Sequence, residues 1–460
     1  MHRDANSALT ELWAQIELAQ EALDFAMLTG AEPVLTSSFA VATAAQATIA
    51  AAALAACEVG HVRGAVRQQV SVDIVQAALE CEGWFSVNGR VPEPWDKFSG
   101  LYQCGDGIVR LHANFAHHRD GALRLLGLDP QRASRADAQE ALLAWTAVDF
   151  ETATADAGLV ATALRTFAQW DATEQGAAVA AQPLMTIERL GEADPLPLPP
   201  LDGNARPLTG IRTLELTRVL AGPVGGRALA AYGADVMLVN SPNLPNIAAI
   251  ADTSRGKRSV HIDLDEPGGA VTLQRLIADA HVFIQGYRPN SLARRGFGPE
   301  QVSRRRPGIV YVSLTAYGGH GPWASRRGFD SLVQTAMGFN DAEAKAAGQD
   351  SPRPLPMQIL DEASGYLMAM GASAALCRQQ REGGSWHVQV SLAQTGHWLR
   401  SLGRVPDGSR APPVTRDPYL ETLPSGFGEL RALRHSAQLS RTPAAWTLPS
   451  MPPGSSPPQW

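Results

Sequence analysis

Two acidic residues, Asp361 and Glu362, stand side by side in the apolar run LPMQILDEASGYLMAMGASAAL, residues 355–376, where a helical pattern begins. A carboxylate at such a junction most often caps the helix, accepting free N–H groups of its first turn. The same group can act as acid, base or nucleophile. The two acids cannot share one task, because neighbours on a helix point about 100° apart. A second set of candidate residues is cationic: Arg218 in TRVLAGP, Arg255, Lys257 and Arg258 in SRGKRS, and Arg288 in GYRP. Such groups hold phosphates, and the glycine-opened stretch GPVGGRALAAYG offers backbone N–H groups to an anion. Neither GxGxxG nor a P-loop accompanies them, so a dinucleotide or Walker-type site is not indicated. The pair His117 and His118 in ANFAHHRD has no carboxylate or third histidine at ligand spacing. No metal site is expected there, and both read as surface residues. His387 in GGSWHVQV reads as part of a turn entering a strand.

The cations fall where strands end. Strands are expected at 211–216, 234–239, 258–264, 281–285 and 308–314, with helices at 222–233, 267–280 and 298–306 between them. Alternation of this kind predicts a parallel α/β sheet with crossover helices, and ligands in such sheets sit at the carboxyl ends of the strands. Proline marks the joints. Residues 191–208 and 404–418 read as extended linkers, and the tail 448–460 must drape over a surface or stay loose.

Composition narrows the class. The chain has 460 residues, a formal charge of −6 and 45% hydrophobic residues, as a folded protein with two or three domains would, and the charge argues against a nucleic-acid binder. Four scattered cysteines without a CxxC pair suit a reducing cytoplasm. The charged N-terminus reads as a first helix rather than an export signal. The Ala-rich run 39–57 approaches membrane-spanning length, but its Thr and Gln favour a buried helix, so no membrane span is expected.

Five blocks taken in order, RTLELTRVLAGPVGGRALAAYGADVMLV, SRGKRSVHIDL, ADAHVFIQGYRPNSLARRGFGPEQV, RRPGIVYVSLTAYGGHGPWASRRGFDSLVQ and LDEASGYLMAMGASAAL, resemble the family III CoA transferases. This is the carnitine-dehydratase and bile-acid-inducible (CaiB/BaiF) group, which also holds α-methylacyl-CoA racemases. The resemblance implies a Rossmann-like parallel-sheet large domain plus a smaller α+β domain. It implies transfer of CoA between an acyl-CoA donor and a carboxylic acid acceptor, with Asp361 as nucleophile. A carboxylate attacking a thioester gives a mixed anhydride, and the returning thiolate gives an aspartyl-CoA thioester. A helix N-terminus behind Asp361 would stabilise its anion. Arg218 and Val219 in TRVLAGP, Lys257, Arg258 and Arg288 would line the CoA groove, with CoA as substrate and no resident cofactor. The partner implied is a second copy in an interlocked homodimer. This chain departs from the family at Asn240, Gln285 and Gly286, which alter the groove.

The order of the chain is rearranged. About 200 residues precede the α/β block, and FAVATAAQATIAAAALAACEVGHVRGAVRQQVSV parallels DEASGYLMAMGASAALCRQQREGGSWHVQVSL. Aligned with a two-residue gap, Phe39 faces Asp361, so the first copy lacks the nucleophile. The organisation expected is a partial, degenerate large-domain segment at 1–84, a small domain at 85–190, a linker at 191–208, a CoA-binding α/β domain at 209–400 and a linker with C-terminal segment at 401–460. Two alternatives are a 2-methylacyl-CoA racemase and a non-catalytic CoA-binding protein. The racemase needs a second proton carrier, yet Phe329 occupies the place where racemases of this family carry histidine, and His320 lies nine residues upstream.

Overall fold

The computed structural model describes residues 2–460. In the N-terminal half, α1 (Val41–Val62) is mostly apolar and is enclosed by protein from Val41 to Gly60, as a helix hydrophobic nearly all round must be. It is followed by a short strand, Val70–Asp73, and by α2 (Ile74–Glu82). A smaller α+β unit then forms around antiparallel strands Gly100–Gln103, Ile108–Leu111 and Ala161–Ala163. Its core includes Phe98, Val109, Leu123 and Phe150, and it carries α3 (Ala116–Leu125).

The large unit is a seven-stranded sheet. Its strands are β1 (Met185–Gly191), β2 (Arg212–Leu216), β3 (Asp235–Asn240), β4 (Lys257–His261), β5 (Val282–Gln285), β6 (Val310–Thr315) and β7 (Ser385–Ser391). They lie in the order β4-β3-β2-β5-β6-β7-β1, all parallel except β1, which runs antiparallel to β7. The strands are nearly continuous apolar runs because helices cover both faces. The fold is therefore α/β, with a doubly covered, mostly parallel sheet.

Three helices matter for the site: α4 (Ala221–Ala231) after β2, α5 (Asp330–Met337) after β6, and α6 (Ile359–Glu382) before β7. α6 packs against both α1 and α4. The α4 contact depends on glycine: a Cβ on Gly365 would lie 2.6 Å from the Ala221 carbonyl oxygen. A final helix, α7 (Leu392–Ser401), leaves β7.

The segment boundaries differ from those expected in two places. β1 belongs to the large sheet, so the smaller unit closes well before residue 190; the partner strand stands about 200 residues later, beyond the reach of local pattern. The C-terminal segment is also structured. Leu420–Ser425 and Gly428–Leu433 build a sheet with Phe85–Val87, and Gln438–Leu439 pairs with Val70 and Ser71. The proline-rich tail drapes over the large sheet: Ser456 N–H donates to the Ser259 carbonyl at 2.7 Å, and Trp460 Nε1 to that of Leu276 at 3.0 Å.

Candidate active site

Asp361 lies on the first turn of α6, 8% exposed, on the wall of a cavity of about 430 Å³. Loops leaving the carboxyl ends of β2, β5 and β6 form one side, bringing Arg218, Val219, Gly286, Arg288 and Ala316. The smaller unit forms the other side, bringing Phe115, His117 and His118. The site is thus closed by both halves of one chain.

Asp361 is not the helix cap. The residue before α6 is Gln358, which makes no side-chain cap bond. The N–H of Asp361 donates to Asp330 Oδ2 at 2.9 Å, and Leu360 N–H adds to the same carboxylate. The donors expected to support the Asp361 anion are therefore taken by Asp330, the first residue of α5. The Asp361 carboxylate itself accepts no hydrogen bond among the described residues.

Electrostatics follow from this arrangement. Burial, and next the carboxylates of Asp330 and Glu362, hold the Asp361 carboxyl well above the usual carboxylate range. Asp330 is pushed up to about 7 by burial, against the pull of the Asp361 N–H. Two buried carboxyls this close do not both ionise readily, and their mutual repulsion favours a proton on Asp361.

Glu362 serves elsewhere. Burial raises its carboxyl to about 8, against Arg227, whose Nη2 lies 3.9 Å from it and 3.9 Å from Glu80. Glu80 accepts Tyr366 O–H at 2.9 Å and Ser436 N–H at 2.8 Å. This buried network ties α2, α4, α6 and the C-terminal segment together.

The structure brings some expected binding residues together and removes others. Arg218, Val219 and Arg288 line the Asp361 cavity. Val219 holds φ 74°, a conformation a β-branched residue rarely adopts, in the loop beside that cavity. Lys257 does not line it: fully buried, it pairs with Glu215 at 2.8 Å and donates to the Pro223 carbonyl at 2.7 Å, pinning α4 to the sheet. Arg258 points away as well, pairing with Asp235 at 3.0 Å and donating to the Gln459 carbonyl at 3.0 Å. Arg255 is buried over Trp446 at 3.8 Å. His320 lines a different, smaller pocket. His118, read as a surface residue, is 4% exposed and faces Arg327, 209 residues away in sequence. Asp330 carried no local signal beyond standing at a helix start after Gly328 and Phe329, and Arg327 none beyond its place in the loop before them.

Known proteins resemble this chain. An acyl-CoA transferase of Gibberella moniliformis is 29% identical over 73% of this chain and 66% of its own length. A probable fatty acyl-CoA transferase of Mycobacterium tuberculosis is 34% identical over 42% of this chain and 52% of its own, and a succinate–glutarate CoA-transferase of Agrobacterium fabrum 34% over 40% and 51%. The chain spans about half the length of most of these relatives. A crystal structure of a CAIB/BAIF family protein from Brucella suis covers 49% of this chain and 65% of its own at 25% identity, with a TM-score of 0.37. Residues 208–403, the α/β part of the chain that carries Asp361, match the model of CoA-transferase family III.

Proposed function

We propose that the protein transfers CoA from an acyl-CoA to a carboxylic acid, with Asp361 as the covalent relay. The observation that carries this reading is a buried carboxylate without a hydrogen-bond donor, set on a cavity wall among Arg218, Arg288 and Arg327. In the reaction, an Asp361 oxygen bonds to the thioester carbon and the CoA thiolate leaves, giving a mixed anhydride. The thiolate then attacks the aspartyl carbonyl, releasing the acyl carboxylate and leaving an aspartyl-CoA thioester. The acceptor carboxylate attacks that thioester, and the returning thiolate takes up the new acyl group from the second anhydride. CoA's phosphates would meet Arg218 and Arg288 at the groove. Only ionised Asp361 can attack, so a raised carboxyl makes the first step faster as pH rises through its ionisation.

Phe329 stands where a proton carrier would be needed for racemisation, and its ring stacks on His112 at 3.8 Å between centroids. Transfer without exchange at C2 is therefore expected. The test is a panel of acyl-CoA donors with free acids, assayed for new thioesters, together with deuterium uptake by a 2-methylacyl-CoA in D₂O. Transfer lost in Asp361→Asn, without C2 exchange, supports the reading. Transfer surviving in Asp361→Ala overturns it.

A further inference from the structure

His118 sits on α3 at the seam between the smaller unit and the large sheet, and it lines the Asp361 cavity. Arg327 Nη1 approaches its Nε2 at 3.2 Å and also donates to the Gly158 carbonyl at 2.7 Å. A guanidinium has no acceptor, so Nε2 must offer its lone pair and the ring proton resides on Nδ1. That Nδ1–H is buried and has no partner. Nearby, Arg218 Nε is buried and unpartnered too. Neither Arg218 nor Arg327 has an acidic partner within ion-pair distance among the described residues; Arg218 donates to the Pro245 carbonyl, and Arg327 to that of Gly158. His118, Arg218 and Arg327 thus line one cavity, with His118 Nδ1 and Arg218 Nε left without a protein acceptor. Buried donors are nearly always satisfied, so an unpaired set on a ligand-sized cavity calls for a partner from the ligand.

We infer that His118 donates its Nδ1–H to an anionic oxygen of the bound substrate, in a corner it shares with Arg218 and Arg327. The ring stays neutral in this role, because burial first, and then His117 and Arg327, push it down to about 3. His118 acts as a positioning residue and transfers no proton. The oxygen is a carboxylate or a phosphate, two chemistries one such corner accepts alike. The inference rests on the transferase reading only in naming the ligands.

Binding by calorimetry needs no turnover and so separates the two claims. The probes are CoA alone, for the phosphate source, and succinate added to the CoA complex, for the carboxylate source. His118→Phe keeps the ring volume and removes the donor; His118→Asn restores an N–H near the Nδ1 position without the Arg327 contact. The expected result is that Phe weakens one of the two probes roughly tenfold or more, the effect of losing one hydrogen bond to a charged group, and that Asn recovers most of it, with unfolding midpoints of both variants close to wild type. Loss for CoA identifies a phosphate, and loss for succinate a carboxylate. Unchanged binding of both probes in His118→Phe, or Asn as weak as Phe while both remain folded, overturns the inference. If the wild type binds both probes yet transfers no acyl group, the transferase reading fails while the result for His118 stands.

Discussion

The heads of α1 and α6 look alike in sequence and differ in what they hold. Both helices are buried over most of their length, rich in small residues and followed by a strand and a further helix. At α6, two buried carboxyls, Asp361 and Asp330, share one site, and one of them borders open space. At α1, Phe39 precedes the helix and is packed edge-on against Phe339 at 4.8 Å and Phe167 at 5.9 Å, with the Arg404 guanidinium 4.0 Å over its ring. A carboxylate is present there too, but it is spent: Glu343 accepts from Ser37 Oγ at 2.6 Å and Ser38 N–H at 2.8 Å. The difference teaches that the helical frame alone carries no chemistry. What distinguishes the candidate site is an acid left without donors on a cavity wall.

The comparison can be broken most sharply at Asp361. Asp361→Asn should lower transfer by about three orders of magnitude or more, as loss of a nucleophile does, with little change in unfolding midpoint. The mirror change, Phe39→Asp, should create no activity and should cost about 3 kcal/mol or more by removing a buried ring from an aromatic cluster. Chemical denaturation measures that cost.

The buried and groove cations give the next contrast. Lys257→Met strands Glu215 in the core and should cost about 3–5 kcal/mol, whereas Arg288→Ala should leave stability within about 0.5 kcal/mol and raise the KM for acyl-CoA roughly tenfold. A KM effect at Lys257 in protein that stays folded would mean that the groove extends further than the cavity described above.

The smallest effect concerns pH. Glu362 keeps its proton to about pH 8 when folded and loses it near 4.5 when unfolded. The folded state therefore binds more protons between these values, and this group's contribution to stability is lost as pH rises through the window. Glu362→Gln should flatten the fall of the unfolding midpoint between pH 5 and 8. A slope as steep as wild type would show that Glu362 is not the group responsible.

Much of the sheet was legible because its strands are continuous apolar runs and its helices open on Gly or Pro. β2, β3, β5 and β6 fall within two residues of their predicted ends. Arg218 and Arg288 were read from strand ends, and Asp361 and Val219 came from the family resemblance; all four line the cavity. Lys257 was misplaced because its fate depends on Glu215, 42 residues earlier on β2, and no local pattern reports which of two cations at a strand start turns inward. Asp330 and His118 were missed as site residues for the same physical reason. Asp330 meets Asp361 only when two helices of the large unit pack, and His118 meets Arg327 only across the seam between the two units.

The central claim is that Asp361 becomes acylated. Incubation with a reactive acyl-CoA, quenching with hydroxylamine and peptide mapping should give a hydroxamate on the peptide carrying Asp361, a mass change of +15 Da for –OH replaced by –NHOH, and no such product in Asp361→Asn. Robust acyl transfer with Asp361 unmodified, or a hydroxamate on another residue, would contradict the account.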